Sequence, residues 1–172
     1  MMRLRILVAL AALPLTGAAS PSGTPGEAAE CKLSYDDAQA SLARINITRS
    51  TGEDPAAEGG FTQYFNPAGV TVLGQAATFY SRAEFEADGV RRVMYRVEIP
   101  GTYADTRAAI LKLHGKKSCD AYETTEPGDL GCMVHIREEG SPSRDVDMIL
   151  FEVERRITTG CIYATGQQAK AA

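Results

Sequence analysis

The chain of 172 residues has no tryptophan and only two histidines, with seven tyrosines and five phenylalanines. That leaves little aromatic surface for stacking sugar rings, and two histidines cannot build a His-based metal cluster. No CxxC pair, serine nucleophile elbow or glycine-rich phosphate loop occurs. The motifs that most often announce zinc, acyl-transfer or nucleotide chemistry are therefore missing, and nothing calls for a cofactor. Carboxylates gather in "EEGSPSRDVD" and "GEDPAAEGG" without the spacing of a calcium loop, so both read as solvated loops. Basic residues are in deficit, with a net charge of −4. This argues against nucleic acid or an anionic membrane as the main partner.

What the sequence does contain begins with an export signature. Arg3 and Arg5 precede an apolar run from Ile6 to Leu15, and Gly17-Ala18-Ala19 supplies small residues for cleavage. The run is about half of the ~20 residues a spanning helix needs. The first cysteine, Cys31, lies too far beyond it to take a lipid anchor. Residues 1–19 are expected to be a cleaved signal, and the mature chain to be periplasmic or extracellular with no membrane span. Losing Arg3 and Arg5 takes the charge from −4 to −6. Residues 20–30, rich in Pro, Gly and Ser, read as a flexible leader. Residues 31–166 read as one domain, and 167–172 as a frayed tail.

Four cysteines in an exported chain suggest two disulfides. The turn-rich stretch "DAYETTEPGDLG" favours Cys119 with Cys132. Cys31 and Cys161 would then tie the start of the domain to its last strand.

Hydrophobic periodicity gives an α+β chain. Ser34 and Asp37 form a capping signal, followed by Ala38, Leu42 and Ile45 at helical spacing. Thr102 and Asp105 repeat the signal before Tyr103, Thr106, Ile110 and Leu113, and Gly115 ends the second helix. Strands are expected at "FTQYF", along "GVTVLGQAATFYSR" and "GVRRVMYRVEI", and then at "CMVHIRE", "DVDMILFEVER" and "TTGCIYAT". In "GVRRVMYRVEI", Val93, Tyr95, Val97 and Ile99 alternate with Arg92, Met94, Arg96 and Glu98. This predicts an antiparallel sheet with both helices on one face and water on the other.

"SYDDAQASLARI" and "TYADTRAAILKL" match at an offset of 68 residues, and the same offset sets "VMY" (93–95) against "CIY" (161–163). Two readings stay open here. One is a tandem αβββ duplication with units 31–99 and 100–166; the other is convergence of two capped amphipathic helices. In "LKLHGKKSCDAYETTEPGDLGCMVHI" a helix ends at Gly115, a cysteine follows, and a second cysteine opens a strand beyond a loop. This layout resembles tandem αβββ exported domains of the β-lactamase-inhibitory-protein and small outer-membrane assembly lipoprotein kind. "KLSY" and "IPGTY" stand where that class has Gly-Met-Thr at the helix start. The resemblance implies a protein-binding role through the open face of the sheet and carries no binding residue across.

Few side chains invite chemistry. His114 falls in the last helical turn, where a cation suits the dipole, so it reads as a cap. His135 alternates with Cys132, Val134 and Ile136 and is expected on the wet face, where Asp145 or Asp147 could lie across from it. Arg91, Arg92 and Arg96 form the most basic stretch, with Glu84 and Glu86 as natural cross-strand partners. The expectation is an exported, non-enzymatic binding module that meets a protein partner in the envelope. Arg92, Met94, Arg96 and His135 would be its contact residues. The alternatives are a small secreted hydrolase using His135 with a carboxylate, and a carrier of an apolar ligand.

Overall fold

Val90–Ile99 (β6) shows why this chain makes a sheet. Val93, Tyr95, Val97 and Ile99 are 5% exposed or less, while Arg92, Met94, Arg96 and Glu98 between them are only partly covered. The computed structural model describes residues 23–54, 60–87, 89–121, 130–137 and 145–168, with side chains at all of these except 51–54 and 166–168. Phe79–Ala87 (β5) precedes β6, and Ala87 pairs with Val90 across a turn where Gly89 has φ 71°. Val146–Val153 (β9) and Arg156–Gln168 (β10) form a second tight hairpin, with Glu154 and Arg155 at φ 50° and 63°.

Ile47–Asp54 (β1) and Gly60–Phe65 (β2) extend the sheet beyond β5, while Leu130–Arg137 (β8) and Asp120–Ala121 (β7) extend it beyond β9. The order is β1-β2-β5-β6-β10-β9-β8-β7, antiparallel throughout. The expected run "GVTVLGQAATFYSR" is not one strand. Leu73 and Gly74 take positive φ and fold Thr71–Val72 (β3) onto Gln75–Ala76 (β4), a separate two-stranded hairpin. It leaves Val70 and Val72 buried in the core.

Both expected helices form. Tyr35–Ser41 (α2) starts where Ser34 Oγ accepts from the Asp37 amide at 3.2 Å and continues as a 3-10 turn, Leu42–Arg44. Tyr103–Leu113 (α3) starts where Thr102 Oγ1 accepts from the Asp105 amide at 3.1 Å. A further helix, Pro25–Ala29 (α1), lies where a flexible leader is expected over 20–30. Thr24 caps it, Glu27 completes a capping box, and Pro25 sits in the first turn, where a missing amide costs nothing. Ala28 and Ala29 are fully buried. A Cβ on Gly26 would meet the Thr71 carbonyl at 2.0 Å, so this glycine permits close packing and is not a sign of disorder. Tyr80 donates to the Pro25 carbonyl at 2.9 Å, Tyr163 to that of Ala28 at 3.3 Å, and Glu30 accepts from the Leu73 amide at 2.6 Å.

The disulfides are Cys31–Cys161 and Cys119–Cys132, as the spacing predicts. The first fixes the end of α1 to the central strand β10. Tyr95 and Tyr163 pack edge to face at 5.6 Å in the core between sheet and helices. In "GEDPAAEGG", read from the sequence as a solvated loop, residues 52–54 instead end β1 and Gly60 opens β2. Its residues 55–59, residues 1–19, most of the cysteine loop, most of the "GSPSRD" turn and most of the tail 167–172 lie outside the described residues.

Strand order runs inward from both edges to the β6–β10 pair. There Val93 faces Tyr163, Met94 faces Ile162 and Tyr95 faces Cys161. Of these pairs one, Met94 with Ile162, joins residues 68 positions apart, the offset of the helix echo. The two expected units each place four strands in this sheet, β1, β2, β5 and β6 in the first and β7–β10 in the second, and not the three of an αβββ repeat.

Candidate functional site

Strand register sorts the sheet's helix-free face into rows, because alternation sends every second side chain to it. One row reads Thr62, Ala83, Met94, Ile162, Asp147 and His135 across β2, β5, β6, β10, β9 and β8. The next reads Tyr64, Ser81, Arg96, Gly160, Ile149 and Met133, and a third Phe79, Glu98, Thr158, Phe151 and Gly131. No described helix packs on this side. Arg92, Met94, Arg96 and His135 all share it, as expected from alternation.

Two of these four meet. His135 Nδ1 lies 2.6 Å from Asp147 Oδ1, and Arg92 Nη1 lies 3.9 Å from Asp147 Oδ2. His135 Nε2 stands 3.3 Å from Asp120 on β7. Asp147, not Asp145, is the carboxylate across from His135. Asp147 is 5% exposed, and a buried carboxylate is tolerated only when cations and donors face it. Asp120 is 74% exposed, which makes its contact weak. The cluster is a compensated carboxylate in which both imidazole nitrogens face acids.

A second group gathers around Arg96. Arg49 lies 5.4 Å over the Tyr64 ring, Tyr64 meets Phe79 edge to face at 5.7 Å, and Arg96 lies 5.4 Å over Phe79. The result is a cation–aromatic–aromatic–cation ladder across β1, β2, β5 and β6. Each cation–ring contact contributes about 0.5–1 kcal/mol at an exposed site. Arg96 is flanked by the small residues Ser81 and Gly160, and the Ser81 hydroxyl is buried without a hydrogen-bond partner among the described residues. Beside the ladder, Arg96, Glu98, Phe151, Val153, Arg156 and Thr158 line an open cavity of about 310 Å³. Arg156 is held there by Glu98 at 3.7 Å and Glu154 at 3.2 Å.

Of the other basic side chains, Arg91 pairs with Glu84 as expected, and Arg92 does not. Arg91 lies on the helix side of β6 and pairs with Glu84, which also pairs with Arg82. Burial alone would raise the Glu84 carboxyl, but the bonds from Arg91 and Arg82 outweigh it and hold the group below its usual range. Arg92 pairs with Asp147, not with Glu84 or Glu86. His114 does occupy the C-cap position of α3, yet burial lowers its pKa despite Glu30 nearby. Its backbone amide donates to the Ile110 carbonyl at 3.1 Å.

The contribution of Tyr64, Phe79, Arg49 and Phe151 escaped the sequence reading. "FTQYF" alternates visibly, but its register against Phe79 is set by the pairing of β2 with β5 across residues 66–78, which periodicity does not reveal. Among the described residues no group of three or more His, Cys, Asp or Glu side chains has the geometry to hold a metal. No protein-family model, curated protein or solved structure matches the chain, so its geometry carries the functional reading.

Proposed function

We propose that the protein is an exported, non-enzymatic module that binds another protein through the helix-free face of its sheet. The observation that carries this reading is the composition of that face. Phe79, Tyr64, Phe151, Met94, Met133 and the arginines line it side by side. Aromatic, Met and Arg side chains are those enriched where proteins meet. Export is supported by the two disulfides, which persist in oxidising compartments, together with the signal-like first nineteen residues. The layout resembling β-lactamase-inhibitory proteins points the same way.

The hydrolase alternative draws no support from His135. Asp147 on Nδ1 orients the ring, but Nε2, the nitrogen left to take a proton, points to a second carboxylate, Asp120 at 3.3 Å, and not to a group it could deprotonate. The carrier alternative needs an enclosed apolar space between helices and sheet. Two cavities lined by described residues, one between Arg96 and Phe151 and one between Glu30 and Leu113, open to the surface.

The test is affinity capture from the native envelope with the disulfide-bonded protein, run beside two variants. Met94→Glu places a charge at the centre of the helix-free face, and Lys112→Glu changes the helix side. The expected result is one protein retained by the parent and by Lys112→Glu and lost with Met94→Glu. Retention that ignores Met94→Glu, or recovery of small molecules alone, would refute the reading.

A further inference from the structure

We infer that the Arg96 end of the face receives an extended acidic segment of the partner, with a carboxylate on Arg96 and an apolar side chain over Phe151 and Val153. The inference rests on the protein-binding reading and gives that partner a chemistry.

Charge on this face is unevenly spent. Arg92 is committed to buried Asp147, and Arg156 to Glu98 and Glu154. Arg96 and Arg49 have no carboxylate partner among the described residues; each lies over an aromatic ring instead. They are uncompensated cations on a chain of net charge −4, so they are not there to balance an acidic neighbour. A guanidinium already localised over a ring loses less freedom when a carboxylate arrives.

The surroundings of Arg96 fit an incoming chain. Ser81 and Gly160 on either side of it keep side-chain bulk away, and a Cβ on Gly160 would strike the Tyr95 carbonyl at 2.0 Å. The glycine answers the close approach of β6's own backbone, and its missing side chain also leaves room beside Arg96. One strand further, Phe151 and Val153 give the cavity an apolar wall and Thr158 a hydroxyl. Its volume of about 310 Å³ is at the small end of the range for ligand sites and suits a side chain. Glu98, already held by Arg156, sets where a second carboxylate would be unwelcome.

The experiment selects displayed random peptides on the mature, oxidised protein. It then measures the affinity of the best synthetic peptide and maps it by amide and arginine side-chain chemical shifts. Enriched sequences should carry Asp or Glu next to a bulky apolar residue and perturb Arg96, Phe79 and Phe151. Affinity should fall about tenfold or more in Arg96→Ala. It should fall less in Arg96→Lys, which keeps the charge and loses the fork, and it should weaken as salt rises. Arg96→Lys also serves if Arg96→Ala does not fold. Peptides that map to this face yet bind both variants as tightly as the parent overturn the acidic-segment inference and leave the protein-binding reading standing. The same holds for peptides that map to Met133 and His135. Peptides that dock only on the helix side overturn both.

Discussion

Replacing Cys31 and Cys161 together by alanine should cost markedly more stability than replacing Cys119 and Cys132. The two bridges close loops of very different length, with sequence separations of 130 and 13. Loop-closure entropy in the unfolded chain scales with the logarithm of that length. It gives about 5 kcal/mol for the long loop and about 3 kcal/mol for the short one. Native contacts widen the gap. Cys31 and Cys161 are 4% and 0% exposed, and their bridge presses α1 against Tyr80 and Tyr163, whereas Cys119 is only partly buried. Cys31 also sits at φ 55°, a conformation that suits glycine. A Cys31→Gly, Cys161→Ala pair should therefore regain about 1 kcal/mol over the double alanine variant. Equilibrium urea unfolding, followed by circular dichroism, reads all three. With m near 2 kcal/mol/M, the midpoints of the two double-alanine variants should differ by about 1 M. If the Cys119/Cys132 variant unfolds first, the chain-entropy reasoning is wrong for this protein.

Three further outcomes follow from the packing. Gly160→Ala should destabilise by about 2–3 kcal/mol in thermal unfolding, since its Cβ cannot coexist with the Tyr95 carbonyl at 2.0 Å without moving β6 from β10. A change within 0.5 kcal/mol would mean the central pair is looser than described. Ser34→Ala and Thr102→Ala should each cost about 1 kcal/mol and add, because the two caps share no partner. Burial raises the pKa of Tyr80, with contributions from Tyr95 and Tyr163, and burial likewise raises those of Tyr95 and Tyr163. A phenol whose folded pKa exceeds its unfolded value of about 10 favours the fold fully below that pH and loses this contribution as pH rises through the folded value. Alkaline titration at 295 nm should show these three ionising together with loss of structure, and early, independent titration would contradict their burial.

Strands β2, β6, β8, β9 and β10, the two capped helices and the cysteine pairing were legible in the sequence because each rests on local periodicity, a three-residue signal or a short turn-rich loop. Strand β1, on polar residues with no alternation, and the break between β3 and β4 were not. Nor were the residues around α1. "SPSGTPGEAAE" has the composition of a linker, and what orders it is distant: a bridge to Cys161, hydroxyls from Tyr80 and Tyr163, and the Leu73 amide. The site divides in the same way. Alternation put Arg92, Met94, Arg96 and His135 on one face, and the search for a carboxylate near His135 led to Asp147. Which arginine is spent on Asp147 and which is stacked on Phe79 depends on register across four strands, and one slipped residue would exchange the faces.

The Cys31–Cys161 bridge has a topological consequence. It turns the stretch from residue 31 to residue 161 into a covalent ring. A single peptide-bond cut anywhere inside that ring, at the tip of any loop, leaves both fragments still joined. The eight strands hold the cut ends in register through backbone bonds that the cut does not touch. A protease must therefore cut twice before any piece can leave. Nicking alone does not dismantle the face that Arg96 and Phe79 present.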